Sequence, residues 1–479
     1  MRPTPRQADL IVEAAHIATV DAALGRIRDG AVAVRDGRIA DLGPRARIHA
    51  DWQAPRVDRH PRALMVPGLV DVHVHPGLFF FARLGRAPTP EQPGLLARGG
   101  QIERFLTLLG SGLRLDPDQT RAAARASLLR GLEAGVTYFN DAAAGDTEAL
   151  VAAALDVGVR GVVSYDFGAD LGFDLGEDPP ALIRTADTDR VLARAEATVA
   201  RHHGRHGMQC WYNLICDLNA SDALYLETMR LATRDGVGIN THTATVRHHE
   251  TVSRRCFGKG SVRRLLDLGV VGPNWIGAHM GFMAPEDMAA LATAGAHIAH
   301  CPGTSMGSGK GIVAGGAIPA LMRAGVNVAL GTDSAQWPDL SRQMSMAYYA
   351  HKEAMADDAL FDPDTVLEMA TLAGARACGE AARRGSLSVG KCADLVLVDT
   401  DQLGFAPFDD PLLAWLRTGG GSVRDVYVEG RHRVKDGRAA DIDREAVARL
   451  AEKAAREFVA TVRASSPATL GASGSGPAQ

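Results

Sequence analysis

Eight short apolar runs recur between residues 69 and 333, most of them separated by helical stretches. The runs cover residues 69–75, 136–141, 161–167, 208–215, 237–242, 275–279, 296–300 and 326–333. Helical patterns over 117–134, 222–234, 285–294 and 317–324 lie between them. Parallel neighbours need a crossover connection, and a helix is the usual one. Eight such units predict an α/β fold, a (β/α)8 TIM barrel, with a doubly wound open sheet as the alternative. At 479 residues the chain can hold a large barrel and a smaller domain as well.

The flanks read differently. Ala31-Val-Ala-Val-Arg-Asp-Gly-Arg-Ile39 is a hairpin signal, with Asp36-Gly37 at the turn. A similar texture returns in Gly385-Ser-Leu-Ser-Val-Gly-Lys-Cys-Ala-Asp-Leu-Val-Leu-Val398 and in Val423-Arg-Asp-Val-Tyr-Val-Glu-Gly430. Both ends are therefore expected to build one small composite β domain, from residues 1–67 and 385–440. The barrel would take 68–384, and a C-terminal helix 441–464. The small, polar tail 465–479 is expected to be disordered.

Composition removes some functions. A net charge of -4 gives no attraction for nucleic acid or an anionic membrane. No run approaches the ~20 apolar residues of a membrane helix. Met1-Arg-Pro-Thr-Pro-Arg-Gln-Ala-Asp-Leu10 lacks the apolar core of a signal peptide. The cysteines, at 210, 216, 256, 301, 378 and 392, form no Cys-x-x-Cys pair. Reduced, buried thiols and a cytoplasmic location are the expectation.

The chemistry collects at the strand ends. In Val66-Pro-Gly-Leu-Val-Asp-Val-His-Val-His-Pro76, His73 and His75 lie two apart and share one face of the strand. Alone, such a pair can simply be solvated or hydrogen-bonded. Asn240-Thr-His-Thr243 closes strand five, Gly277-Ala-His-Met280 strand six, and Ala329-Leu-Gly-Thr-Asp333 strand eight. Active sites of barrels form at this C-terminal mouth. Four imidazoles and a carboxylate in a barrel throat are costly unless a divalent cation binds them. Imidazole with carboxylate suits zinc, iron or a similar first-row metal, and three histidines, one aspartate and a water make an open catalytic site.

These motifs resemble the amidohydrolase superfamily, in the branch of triazine hydrolases and of guanine and S-adenosylhomocysteine deaminases. The matching residues are Pro67-Gly-Leu-Val-Asp-Val-His-Val-His75, His242, Ala278-His279, His300-Cys-Pro302, Gly331-Thr-Asp333 and Gly385-Ser-Leu-Ser-Val-Gly-Lys-Cys-Ala-Asp-Leu395. The resemblance spans nearly the whole chain and implies a barrel with a flanking β-sandwich. It implies one divalent metal, Zn2+ first and Fe2+, Mn2+ or Co2+ as alternatives, held by His73, His75, His242 and Asp333. His279 would sit beside the metal's water or the substrate oxygen. Asp333 would carry a proton to the leaving nitrogen, with His279 as its catalytic partner. A homo-oligomer acting on a small molecule is expected, with no nucleic-acid or membrane partner.

Two departures matter. Deaminases of this branch carry glutamate three residues after the strand-five histidine; here that position is Thr245. A threonine hydroxyl cannot protonate a ring nitrogen. The branch's Ala-Pro-His element on strand four is replaced by Tyr212-Asn-Leu-Ile-Cys-Asp217. Both favour hydrolysis of a non-peptide C–N bond, in an amide, urea, carbamate or thiocarbamate, over deamination of a triazine, purine or pyrimidine. A non-catalytic scaffold on the same fold is a third reading, opposed by the complete ligand set.

Asp141, Asp166, Asp217 and Glu250 are acids near strand ends that can replace the glutamate, or merely cap helices and pair with arginines. Gly77-Leu-Phe-Phe-Phe81 offers an apolar substrate channel or ordinary packing. Substrate contacts are expected from Phe79, Phe80, Asp217, Thr245 and Trp337. Gly307-Ser-Gly-Lys-Gly311 lacks the order of a phosphate-binding loop. Cys301, beside His300, fits the structural motif better than a nucleophile.

Overall fold

A computed structural model describes residues 4–78, 115–143, 145–165, 168–174, 176, 179–333 and 339–465, the last four as backbone only. The barrel strands are β1 Leu69–Val74, β2 Val136–Asp141, β3 Arg160–Ser164, β4 Gln209–Cys216, β5 Ile239–Thr243, β6 Trp275–His279, β7 His297–His300 and β8 Asn327–Leu330. They pair in sequence order, all parallel. Asp333 N–H donates to His73 O at 2.7 Å, and His75 N–H to Asp333 O at 2.9 Å. These two bonds, with the Val74–Asp333 bridge, join the last strand to the first and close the barrel.

The sequence extends strand eight to Asp333, but the ladder of β8 stops at Leu330. The buried Asp71 carboxylate causes the departure. It accepts Thr332 Oγ–H at 2.6 Å and Thr332 N–H at 3.1 Å, drawing the segment over β1. A side chain at Gly331 would meet His73 Cβ at 2.8 Å and His73 O at 2.9 Å, so only glycine allows the approach.

The helices fall where the apolar spacing predicts. Pro117–Glu133 starts with a capping box, Asp116 with Gln119, and a proline in its first turn. Asp222–Asp235 is capped by Ser221, and Pro285–Ala294 and Ala317–Arg323 follow β6 and β7.

Both chain ends meet in one eight-stranded sheet. Its order runs Arg438–Ala439, Arg431–Lys435, Val423–Val428, Leu395–Asp399, Val57–Pro67, Leu10–Ala18, Arg26–Arg35, Arg38–Pro44. The Asp36-Gly37 turn has both φ positive, as a tight hairpin requires. Period-two alternation divides the sheet between two cores. Met65, Leu395 and Leu397 pack with Val12 and Val34 inside the β domain, whereas Val66, Val396 and Val398 join the barrel core.

Arg384 fastens the two units. It is 3% exposed, donates to Glu380 at 3.0 Å and to Asp394 at 2.8 Å, and lies over the Tyr138 ring. Replacing it leaves the buried Asp394 carboxylate without a cation and Glu380 with only Arg383, 3.7 Å away. Arg384→Met is expected to cost roughly 3–5 kcal/mol, read as a lower urea midpoint; an unchanged midpoint would contradict this reading.

Candidate metal centre

The seam of the barrel carries the site. His73 and His75 leave β1 on one face, His242 ends on β5, and Asp333 follows β8. Ligand-type atoms of these four residues all lie within 4.8 Å of one another. His75 Nε2 is 3.1 Å from His242 Nε2 and 3.4 Å from Asp333 Oδ1; His73 Nε2 is 3.7 Å from the same oxygen. His73, His75 and Asp333 are buried.

The other ring nitrogens explain the orientation. His75 Nδ1 lies 3.1 Å from Ala143 O, and His242 Nδ1 lies 2.5 Å from Ile215 O. Carbonyls only accept, so each Nδ1 is the donor, and each Nε2 lone pair is turned inward. The Ile215 carbonyl reaches His242 because the β4–β5 register shifts between Leu214 and Cys216. Two inward lone pairs 3.1 Å apart repel unless a cation lies between them. His73 Nε2 has no hydrogen-bond partner among the described residues. The donor set therefore fits a divalent metal.

Electrostatics agree with neutral donors. Burial, reinforced by His73 and His75, holds the His242 ring well below its usual pKa. Burial and the Lys310 ammonium do the same to His279. Burial alone would raise Asp333, but Lys310 and the facing imidazoles outweigh it and keep the carboxylate ionised. Ala143, Ala244, His279, Met280 and Asp333, all at strand ends, have φ between 48° and 75°. Non-glycine residues rarely adopt this conformation, and such strain gathers at functional sites.

His279 stands just outside the ligand group, its Nε2 3.8 Å from Asp333 Oδ2. Lys310, absent from the sequence reading as a site residue, shares this position. Its Nζ is 3.4 Å from both Asp333 Oδ2 and His279 Nε2, and its side chain is 3% exposed. The only available signal was a lysine among glycines just past a barrel strand.

Other expected residues are committed elsewhere. Asp217 is 1% exposed; its Oδ2 accepts Ala244 N–H and its Oδ1 accepts Cys216 S–H. Asp141 Oδ2 accepts Ser164 N–H, and Glu250 caps the start of the Ser261–Asp267 helix. Thr245, three residues past His242, is buried with its hydroxyl unpartnered among the described residues. Phe79, Phe80, Trp337 and Asp166 lie outside the described residues, as does the tail beyond residue 465. His300 turns away from the site to His351 on the Leu340–Met355 helix, Nε2 to Nε2 at 2.9 Å.

A family model described as the amidohydrolase family matches residues 64–433. The chain belongs to this family and is a hydrolase of carbon–nitrogen bonds other than peptide bonds. Among curated relatives it is 28% identical, over 95% of its length and 99% of theirs, to a 5'-deoxyadenosine deaminase of Methanosarcina mazei. A 5-methylthioadenosine/S-adenosylhomocysteine deaminase of Syntrophobacter fumaroxidans is also 28% identical, over 90% and 94%. The fold is shared with an adenosine deaminase from Xanthomonas campestris with bound zinc, at TM-score 0.83, 24% identity and 95% and 100% coverage. It is shared too with a mutant atrazine chlorohydrolase of Arthrobacter aurescens complexed with zinc and atraton, at 0.80, 20%, and 93% and 100%. Among the described residues no helix is long and apolar enough to cross a membrane.

Burial lowers the pKa of His351 to about 4, and burial with the neighbouring His351 holds that of His300 well below its usual value. The folded protein keeps this pair neutral, whereas an unfolded chain takes up protons below about pH 6.5. Their contribution is full above that pH and is lost as the pH falls toward the folded values. His351→Gln keeps a donor for His300 without titrating. It is expected to lose less stability than the parent between about pH 7 and pH 5, and equal losses in paired urea titrations would refute the assignment.

Proposed function

We propose that the protein hydrolyses an amide, urea, carbamate or thiocarbamate of a small, partly apolar molecule, using one divalent metal, zinc first. His73, His75, His242 and Asp333 Oδ1 would hold it. The metal would supply an activated water, its pKa brought toward neutrality. The observation that carries the substrate class is Thr245, buried where the deaminases of this branch place an acid. Asp141, Asp217 and Glu250 each already accept bonds within the fold.

A carbonyl substrate needs less help than a ring amidine. The water oxygen bonds to the carbonyl carbon, the C–N bond breaks, and the leaving nitrogen gains a proton. Asp333 holds and delivers that proton; its Oδ2 faces away from the histidine ligands, toward His279 and Lys310. His279, kept neutral by burial and by Lys310, would meet the substrate oxygen as it becomes negative. Thr245 would contact the substrate, and Phe79, Phe80 and Trp337 are proposed as further substrate contacts. A cytoplasmic homo-oligomer is the accompanying proposal.

Deamination is the second reading, favoured by the names of the full-length relatives. Products separate the two. A screen of carbamates, ureas, amides and 5'-deoxyadenosine is expected to yield an amine with an acid or CO2, and not ammonia from an intact ring. Asp333→Asn is expected to lower turnover by roughly three orders of magnitude; a fully active variant would remove the mechanism. Thr245→Glu is expected to raise ammonia release from 5'-deoxyadenosine above the parent's, measured by a coupled ammonia assay. No gain would show that this position does not decide between the reactions.

A further inference from the structure

A buried ammonium is expensive unless its charge is matched and its donors are used. Lys310 meets only part of that condition. Asp333 is the one acid paired with it among the described residues, and that carboxylate also faces His73 and His75. The contacts to Asp333 and His279, both 3.4 Å, are long against the ~2.7–2.9 Å of a charge-assisted bond. Nζ has three N–H donors, and no further partner appears among the described residues.

The charge balance points the same way. A divalent cation and an ammonium would stand against Asp333, the one carboxylate among the described residues in direct contact with Lys310 and with the histidine ligands, so the immediate site carries excess positive charge. Thr245 contributes no charge where a glutamate would have reduced that excess. A buried site with excess positive charge and an N–H unpartnered among the described residues is completed by an anion.

We propose that Lys310, with His279, forms an oxyanion site that takes the substrate's carbonyl oxygen as it becomes negative. This deepens the reading of the protein as a hydrolase of carbonyl C–N bonds and rests on it. As the water oxygen bonds to carbon, the carbonyl π pair moves onto oxygen, where a Lys310 N–H meets it. The pair then returns, the C–N bond breaks, and the nitrogen departs with a proton carried by Asp333. Lys310 keeps its own proton throughout. An anionic tetrahedral centre fits this environment.

Methylphosphonate, a small tetrahedral anion, tests the site without turnover. It is titrated calorimetrically into zinc-loaded parent, Lys310→Met and Lys310→Arg, with zinc measured by mass spectrometry in each. Lys310→Met is expected to retain zinc and to bind the anion roughly tenfold or more weakly. Lys310→Arg is expected to stay within about threefold of the parent, because it keeps a charged donor. Anion affinity in Lys310→Met within about twofold of the parent would overturn the proposal. So would loss of zinc from it, which would make Lys310 a support for Asp333 instead. Should Lys310→Met not fold, Lys310→Gln is read by the same criteria. The test is independent of the substrate screen: a protein that deaminates a ring can still pass it, and one that cleaves carbamates can fail it.

Discussion

The backbone seam between the first and last barrel strands is the constraint on which the rest depends. Asp333 donates its N–H to His73 and receives one from His75, so barrel closure and ligand assembly are one event. Asp71 secures the seam through Thr332, and Gly331 allows the approach. The cost is backbone strain at Asp333, whose φ is +62°. That strain is held by a core reaching from the barrel into the β domain, through Val66, Val396 and Val398.

Around the seam, polarity is handled in two ways. Deeper in the barrel, some buried polar groups satisfy one another: Asn140 and Asn240 exchange amide bonds at 2.9 and 2.8 Å across the interior. At the mouth they do not. His73 Nε2 is unpartnered among the described residues, and His75 and His242 oppose lone pairs. What marks the mouth as the place built for a ligand is convergence: these nitrogens and the Asp333 carboxylate all lie within 4.8 Å of one another.

Much of this was legible in the chain. The alternation of strand and helix periods gave the barrel, and the His73/His75 spacing fixed two side chains on one face. His242, His279 and Asp333 were legible because barrel chemistry gathers at strand ends. Three features were not. Asp217 has the position of a site residue, yet its carboxylate is spent on Ala244 and Cys216. His300 ends a strand as His242 does, but packs against His351. Lys310 lies in a segment whose glycines carry no period, and only its 3.4 Å approach to Asp333 reveals it.

By itself, then, the sequence determined the kind of fold and which residue types could form a metal centre, because side-chain alternation along a strand is a local property. Tertiary structure decided which of those residues meet, which are turned to structural bonds, and that a lysine joins them. Those outcomes depend on distances between segments up to some 260 residues apart, as in the Asp71–Thr332 bond, and no local pattern encodes such distances.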